Sequence, residues 1–317
     1  MKNKKTILVI IILGIIINML NIFYIPTENN MLKKVMFGIG VNGLIVCFIR
    51  YIEYFAAFGK EVFGNHKLIR RLAKNDFKTK FAGSYLGIIW AFVQPVVTVL
   101  VYWFVFEVGL RSGEEAAYPF VLWLVAGLVP WFFFSEALNS GTNALLEYNY
   151  LVKKVVFKID IIPVVKVISA LFVHVFFVSF TLFLYVCYGY FPDFYALQVV
   201  YYSFCAFIFV LGLSYMTSAV VVFFRDLTPI INIILQVGVW MTPIMWQLSM
   251  VPERFLWVFK LNPMYYIVHG YRSALIDKIW FWENYYLTGY FWLVTLTMFG
   301  IGVLLFKRLK VHFADVL

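Results

Sequence analysis

The sequence predicts an all-α, polytopic membrane protein. Of its 317 residues, 63% are hydrophobic and only 13% are charged, where soluble globular chains have about 45–50% apolar and about 25% charged residues. Mean hydropathy is +0.88. Apolar runs of spanning length recur along the chain, separated by loops in which Lys and Arg collect.

A helix that crosses a bilayer needs about 20 mostly apolar residues. Eight runs qualify: Thr6–Tyr24, Val35–Phe58, Leu86–Val108, Tyr118–Leu138, Val164–Tyr190, Leu197–Phe223, Pro229–Trp246 and Tyr290–Phe306. The first follows Lys2, Lys4 and Lys5, as the core of a secretory leader would. Asn18, Asn21 and Tyr24 stand where a small-x-small cleavage site is needed, so the run is expected to remain as a span. The first two runs read as an amino-terminal hairpin over residues 1–59. Residues 60–82 have helical spacing, with Leu68, Leu72, Phe77 and Phe81 near one face and basic residues on the other. Such a helix lies flat at the interface, its cations among the headgroups; a plain basic linker is the alternative. Residues 83–317 carry the other six runs. Within them, Leu248–Ile276 is apolar but interrupted by Pro252, Glu253, Arg254, Lys260, Pro263 and Arg272. That pattern suits a re-entrant or interfacial hairpin better than a span.

Loop cations set the orientation. Most of them flank the first run, fill the loop between runs two and three, follow run four, and follow the last run (Lys307, Arg308, Lys310). Both termini are therefore expected in the cytoplasm, in agreement with an even number of spans. The net charge of +10 is assigned to loops facing anionic lipid rather than to nucleic acid.

Several chemistries are excluded. The one Gly-Lys pair, Gly59-Lys60, is followed by Glu61, so no phosphate-cradling loop is present. Cys47, Cys187 and Cys205 are too far apart for a CxxC site, and the four histidines lack ligand spacing. Gly38-Ile-Gly-Val-Asn-Gly43 matches a dinucleotide pattern but sits inside an apolar run, where small residues let helices approach. His174, alone in mid-span, reads as a neutral histidine bonded to a neighbouring helix. Arg50, Glu53, Glu107, Glu136 and Lys166 lie toward span ends, where snorkelling accounts for them. With no Asp/Glu/His chain to relay protons, the energy source is expected outside this polypeptide.

The aromatic fraction is 21%, more than interfacial belts of Trp and Tyr require. Clusters such as Tyr102-Trp103-Phe104 with Phe106, and Trp131-Phe-Phe-Phe134, admit two readings. One is the belt. The other is a path lined by Trp90, Tyr102, Phe106, Trp131 and Phe132, on whose faces sugar rings slide.

Four blocks stand out along the chain: Lys80-Phe-Ala-Gly-Ser84-Tyr-Leu-Gly87-Ile-Ile-Trp90 through Gln94-Pro95; Ala126-Gly127-Leu-Val-Pro130-Trp131-Phe-Phe-Phe-Ser135 with Leu151-Val-Lys-Lys154-Val-Val-Phe157-Lys158; Phe224-Arg225-Asp226; and Thr242-Pro243-Ile244 with Leu261-Asn262-Pro263 and Tyr271-Arg272-Ser273. From Arg70 onward the chain resembles the membrane subunit of ABC-2-type exporters, in the group that exports O-antigen, capsule or teichoic acid. Gln94 stands where that family has Asn, and Lys158 where it usually has Pro. The amino-terminal hairpin has no counterpart in it.

The resemblance implies a six-span core, a cytoplasmic amphipathic helix before it, and re-entrant outer helices around Pro243, Asn262, Pro263 and Arg272. It implies a homodimer with two copies of a separate ABC ATPase that binds ATP and magnesium, so that this chain is a transport subunit without a cofactor or catalytic residues. A coupling helix over Asn143–Lys158 would dock on the ATPase through Leu146, Glu147, Leu151, Lys153, Lys154 and Phe157. ATP binding would act through it on the first and fifth core spans. At the cytoplasmic entrance, Lys74, Lys78, Lys80 and Arg225 would meet the pyrophosphate of a lipid carrier. Arg225 and Asp226 would brace the adjoining turn, or Asp226 would simply cap the next helix. The expected function is export of a lipid-linked polysaccharide across the bacterial plasma membrane. Two alternatives are an ABC-2 permease for a drug or lipid, and an integral-membrane acyltransferase, for which no clear His/Asp constellation is present.

Overall fold

The computed structural model describes residues 2–23, 31–80, 83–109, 118–153 and 158–317, and every regular element among them is helical. Helices α1 (Lys2–Phe23) and α2 (Met31–Arg50) form an antiparallel pair. Gly14 faces Ile45, and Asn18 donates to Asn42 Oδ1 at 3.2 Å. The second run is not one straight span. The chain turns through 73° at Tyr51 into α3 (Ile52–Gly64). The turn places Phe58 edge-on to Tyr215 and Phe299, with ring centroids 5.1 and 6.0 Å away. Phe58 is half-buried there, and the apolar area it removes from water, at about 25 cal/mol per Å², is an incentive for the helix to bend inward instead of continuing.

After a joint at Asn65, α4 runs over His66–Thr79. Its buried face is Ile69, Ala73 and Asp76, while Leu68 is exposed. The buried face is therefore offset by one residue from the expected stripe, because α4 packs on a neighbouring helix, α9 (Ile162–Cys187). Between α4 and α5 (Trp90–Trp103), the Ser84 hydroxyl accepts a bond from the Gly87 amide at 3.0 Å. Gly87 has φ +52, a conformation that costs a side-chain-bearing residue about 1–2 kcal/mol. The Ser-x-x-Gly spacing of the first block is thus a turn.

The other helices are α6 (Phe120–Thr142), the one-turn helices α7 (Ala144–Glu147) and α8 (Asn149–Val152), α9, α10 (Gln198–Val221), α11 (Leu227–Met241), α12 (Leu256–Lys260), α13 (Pro263–Arg272), α14 (Tyr285–Leu309) and α15 (Phe313–Val316). Five segments are long and apolar enough to cross a membrane, and α2 with α3 makes a sixth if taken as one broken span. The seventh run folds as the short helix α11, which falls below the length that the eight-span expectation requires of it. Helix α11 ends at Met241, before Thr242 and Pro243. Its 15 residues rise about 22 Å, short of a hydrocarbon core about 30 Å thick.

Beyond α11 the chain turns back through α12 and α13 before α14 begins, the hairpin expected for Leu248–Ile276. Helices α6, α9 and α10 form the core with α13 and α14. Gly212 and Gly302 let α10 and α14 touch through their backbones, since a Cβ on Gly302 would lie 2.3 Å from the Gly212 carbonyl oxygen. The Gly38–Gly43 pattern also belongs to packing: Gly40 abuts Leu293 of α14, and Gly43 faces open space. In contrast, 78% of the apolar window of α6 is buried and 6% of that of α5. The antiparallel order puts α4, α7, α8, the start of α11 and the end of α14 at one end of the bundle. The start of α1 lies at that end too, and the re-entrant hairpin occupies the other.

Candidate functional site

At the basic end, a buried ion-pair cluster joins three elements. Lys166, about one turn into α9, is buried and reaches Asp76 of α4 at 2.6 Å and Glu147 of α7 at 2.5 Å. The Tyr148 hydroxyl donates to Asp76 Oδ1 at 2.9 Å, and the Lys166 ammonium lies 5.1 Å from the Tyr148 ring centre. Burial, with the charge of Asp76 next, pushes the Tyr148 phenol above its ordinary pKa and keeps it a donor. Lys166 is therefore not a snorkelling residue. The sequence did carry a signal for it, since a charge inside an apolar span is functional by default. Its partners, 90 and 19 residues away in the chain, had no such signal.

A cavity of about 350 Å³ opens beside this cluster, lined also by Lys80, Glu136 and Ser140. Lys80 pairs with Glu136, which accepts from Ser140 at 2.6 Å. A second cavity of about 390 Å³ shares Lys80 and Glu136 and continues along α5, α6 and α9 past Phe132 to His174. His174 Nε2 lies 3.0 Å from Ser203 Oγ of α10 and 3.1 Å from the Tyr271 hydroxyl of α13, the inter-helix bonding expected of it. On the outer side of α4, Arg70, Lys74 and Lys78 line a third cavity of about 400 Å³ with Phe77, Ile88 and Phe172. None of these three cations forms an ion pair with a described residue. Lys74 and Lys78 thus share one site, with Arg70 as a third member, while Lys80 faces the other cleft.

The expected coupling helix is two single turns, broken at Tyr148, whose side chain is committed to Asp76. Leu145 and Val152 are buried, Leu146 and Leu151 half-buried, and Glu147 and Lys153 exposed. Lys154 and Phe157 lie outside the described residues. The segment is tied to α11 by the Thr228 hydroxyl, which donates to Asn143 Oδ1 at 2.7 Å. Arg225 and Asp226 are exposed and pair with no described residue. Asp226 precedes α11, but its side chain makes no capping bond, so the simple capping alternative is not what the structure holds.

At the opposite end, the remaining blocks converge on Arg272. Its guanidinium donates to the backbone oxygens of Pro243 (2.6 Å), Ile244 (2.7 Å) and Trp123 (3.3 Å), and lies 3.4 Å from the centre of the Trp123 ring. Gly127 of α6 leaves room for it, since a Cβ there would meet Arg272 Nη2 at 2.7 Å. Asn262 caps α13 by accepting from the Met264 amide at 3.0 Å and donates to Thr242 at 2.8 Å, with Pro263 at the first helical position. These residues fasten the hairpin to α6.

The five aromatics proposed for a path do not converge. Phe132 lines the second cavity, Trp131 is buried against Gly238 of α11, Tyr102 is half-buried near the end of α5, Phe106 stacks on Phe120 beyond that end, and Trp90 is exposed at the start of α5.

Residues 67–276 match the ABC-2 type transporter family. The chain belongs to that family. Among the relatives of this ABC-2 protein are the O-antigen export system permease protein RfbA of Klebsiella pneumoniae, 26% identical over 251 residues, which are 78% of this chain and 93% of the relative. The protein of the same name from Myxococcus xanthus is 28% identical over 221 residues, 69% of this chain and 84% of the relative. All four blocks fall inside the matched region, and the α1–α2 hairpin falls outside it.

Proposed function

We propose that this ABC-2 protein is the membrane-spanning permease subunit of an ATP-driven exporter that carries a lipid-linked polysaccharide of the O-antigen, capsule or teichoic acid type across the bacterial plasma membrane. The observation that carries this reading is the match over 93% of an O-antigen export permease. Residues 83–317 form the transport core, 60–82 the interface segment, and 1–59 an added hairpin with both termini in the cytoplasm. ATP and magnesium belong to a separate ABC ATPase, present in two copies beside a permease homodimer. The lipid-facing α5 and the exposed side of α11, with Ile230, Ile233, Ile234, Val237 and Trp240, support pairing with a second copy.

The carrier lipid reaches the protein at α4. Arg70, Lys74 and Lys78, one helical turn apart in succession, hold its pyrophosphate, while Phe77, Ile88 and Phe172 take the adjoining hydrocarbon. Residues 143–158 dock on the ATPase and pass its movement to α5 and α11, opening a path between the two copies.

Depletion of the protein in its own cells tests the reading. The expected result is lipid-linked glycan retained inside, and co-purification of a Walker-loop ATPase with the tagged chain. Unchanged surface glycan together with retention of a drug or phospholipid would transfer the assignment to that cargo. Acyl transfer by the purified chain without ATP would replace it with an enzyme.

A further inference from the structure

We propose that Lys166 and Asp76 form the node through which the ATPase-docking segment moves α4, making the presentation of its basic face to the lipid carrier dependent on nucleotide. This rests on the permease reading above and adds to it a second output, distinct from the spans α5 and α11.

Among the described residues, the segment 143–153 has two polar ties to elements beyond α6, the helix it continues. One is Asn143 with Thr228, leading to α11. The other is the pair Glu147 and Tyr148, which meets Lys166 and Asp76 and leads to α4. The second tie is asymmetric. The Glu147 side chain is 53% exposed and the Asp76 side chain 11%. Glu147 can exchange Lys166 for water at little cost, whereas Asp76 cannot give up its donors without standing as a bare charge in a buried site. Tyr148 and Lys166 both donate to the same oxygen, Asp76 Oδ1. A displacement of the docking segment therefore acts on Asp76 twice, by removing the Tyr148 hydroxyl and by freeing Lys166 from Glu147.

Helix α4 is suited to follow. Besides Asp76, its buried anchors are Ile69 and the small Ala73, so the ionic contact governs much of its seating on α9. Arg70, Lys74 and Lys78 are borne on the same rigid helix, and a tilt about Asp76 changes their distance from Phe172 of α9 and Ile88. The cavity beside the node gives the side chains room to rearrange.

The test uses the complete permease–ATPase complex in lipid nanodiscs, in a chain whose Cys47, Cys187 and Cys205 have been replaced by Ala. Spin labels at Asn75→Cys on α4 and Val175→Cys on α9, both exposed, report the separation of the two helices with and without ATP. Glycan exported per ATP hydrolysed is measured in parallel on proteoliposomes. Asp76→Asn and, as a milder variant, Tyr148→Phe, whose side chain is turned to Asp76, change none of the expected ATPase contacts Leu146, Glu147, Leu151 and Lys153. In the parent chain ATP changes the label distance. In both variants the change shrinks and export per ATP falls, by about twofold to thirtyfold for residues on a coupling path, while ATP hydrolysis continues. A merely structural ion pair would lower the yield of folded protein and leave both readouts of the folded fraction at parental values. That result, or a parent whose label distance ignores ATP, overturns the node. Co-purification of the ATPase and export by the parent are scored separately, so failure of the permease reading is recognised by their loss.

Discussion

The molecule buries one cation near each end of its bundle and satisfies the two in opposite ways. Lys166 is held by carboxylates from two other elements, α4 and the short helix α7, beside a cavity. Arg272 pairs with no described carboxylate and is held by three backbone carbonyls and the face of Trp123. Carbonyl dipoles belong to the backbone and cannot swing away, so the Arg272 site is a fixed fastening. Carboxylates sit on rotatable side chains, one of them half in solvent, so the Lys166 site can change partners. The difference separates a hairpin fastened through backbone from a basic end joined through side chains, which is the end where the proposed nucleotide-driven movement would enter.

Substitution breaks the comparison most strongly at the Arg272 end. Arg272→Met forfeits three charge-assisted bonds worth about 1.5–3 kcal/mol each. It is expected to yield little folded protein by thermal unfolding in detergent, and no second-site charge change should rescue it, because its partners are backbone. Lys166→Met leaves Asp76 buried without its cation and is expected to cost about 3–5 kcal/mol. Here the added change Asp76→Asn should recover a measurable part of the lost melting temperature. Equal rescue at both ends, or at neither, would erase the distinction drawn between them. Gly127→Ala pushes a methyl into the Arg272 guanidinium and should cost about 1–3 kcal/mol in the same assay. Thr228→Val removes one bond to Asn143 and should cost about 1 kcal/mol, with its effect read as weaker coupling of ATP hydrolysis to export rather than as unfolding.

The smallest effect belongs to a surface pair at the same end of the bundle as Arg272. The ammonium of Lys278, 2.8 Å from Asp193, holds that carboxyl below its ordinary pKa. Its stabilisation is present above the unfolded pKa of Asp193 and is lost as pH falls through the lowered folded value. Lys278→Ala should lower the melting temperature slightly at neutral pH and flatten its decline in acid; an unchanged acid profile would show that the pair contributes nothing.

Much of this was legible in the residues themselves. The apolar runs gave the membrane class, Pro252, Pro263 and the charges of Leu248–Ile276 marked a stretch too interrupted to span, and the four blocks pointed to the ABC-2 family. Two errors share one cause. The face of α4 was placed one residue off, and the second span was drawn straight through Tyr51, because hydrophobic periodicity reports that a face is apolar but not which neighbour it meets. Asp76 shows the limit most clearly: among the cations of α4 it reads as one more solvated charge, and only the packing of α4 on α9 makes it a buried partner.

Composition and spacing by themselves determined that the chain is helical and membrane-embedded, because transfer of apolar side chains out of water depends on what the residues are and how many are contiguous. They also fixed local features whose partners are a few residues away, such as the Ser84–Gly87 turn and the Asn262–Pro263 cap. Tertiary structure alone decided which charges are buried and with whom. Coulombic and hydrogen-bond energies fall off over a few ångströms in space, while Lys166 and Asp76, or Arg272 and Trp123, are separated by 90 and 149 positions in the chain.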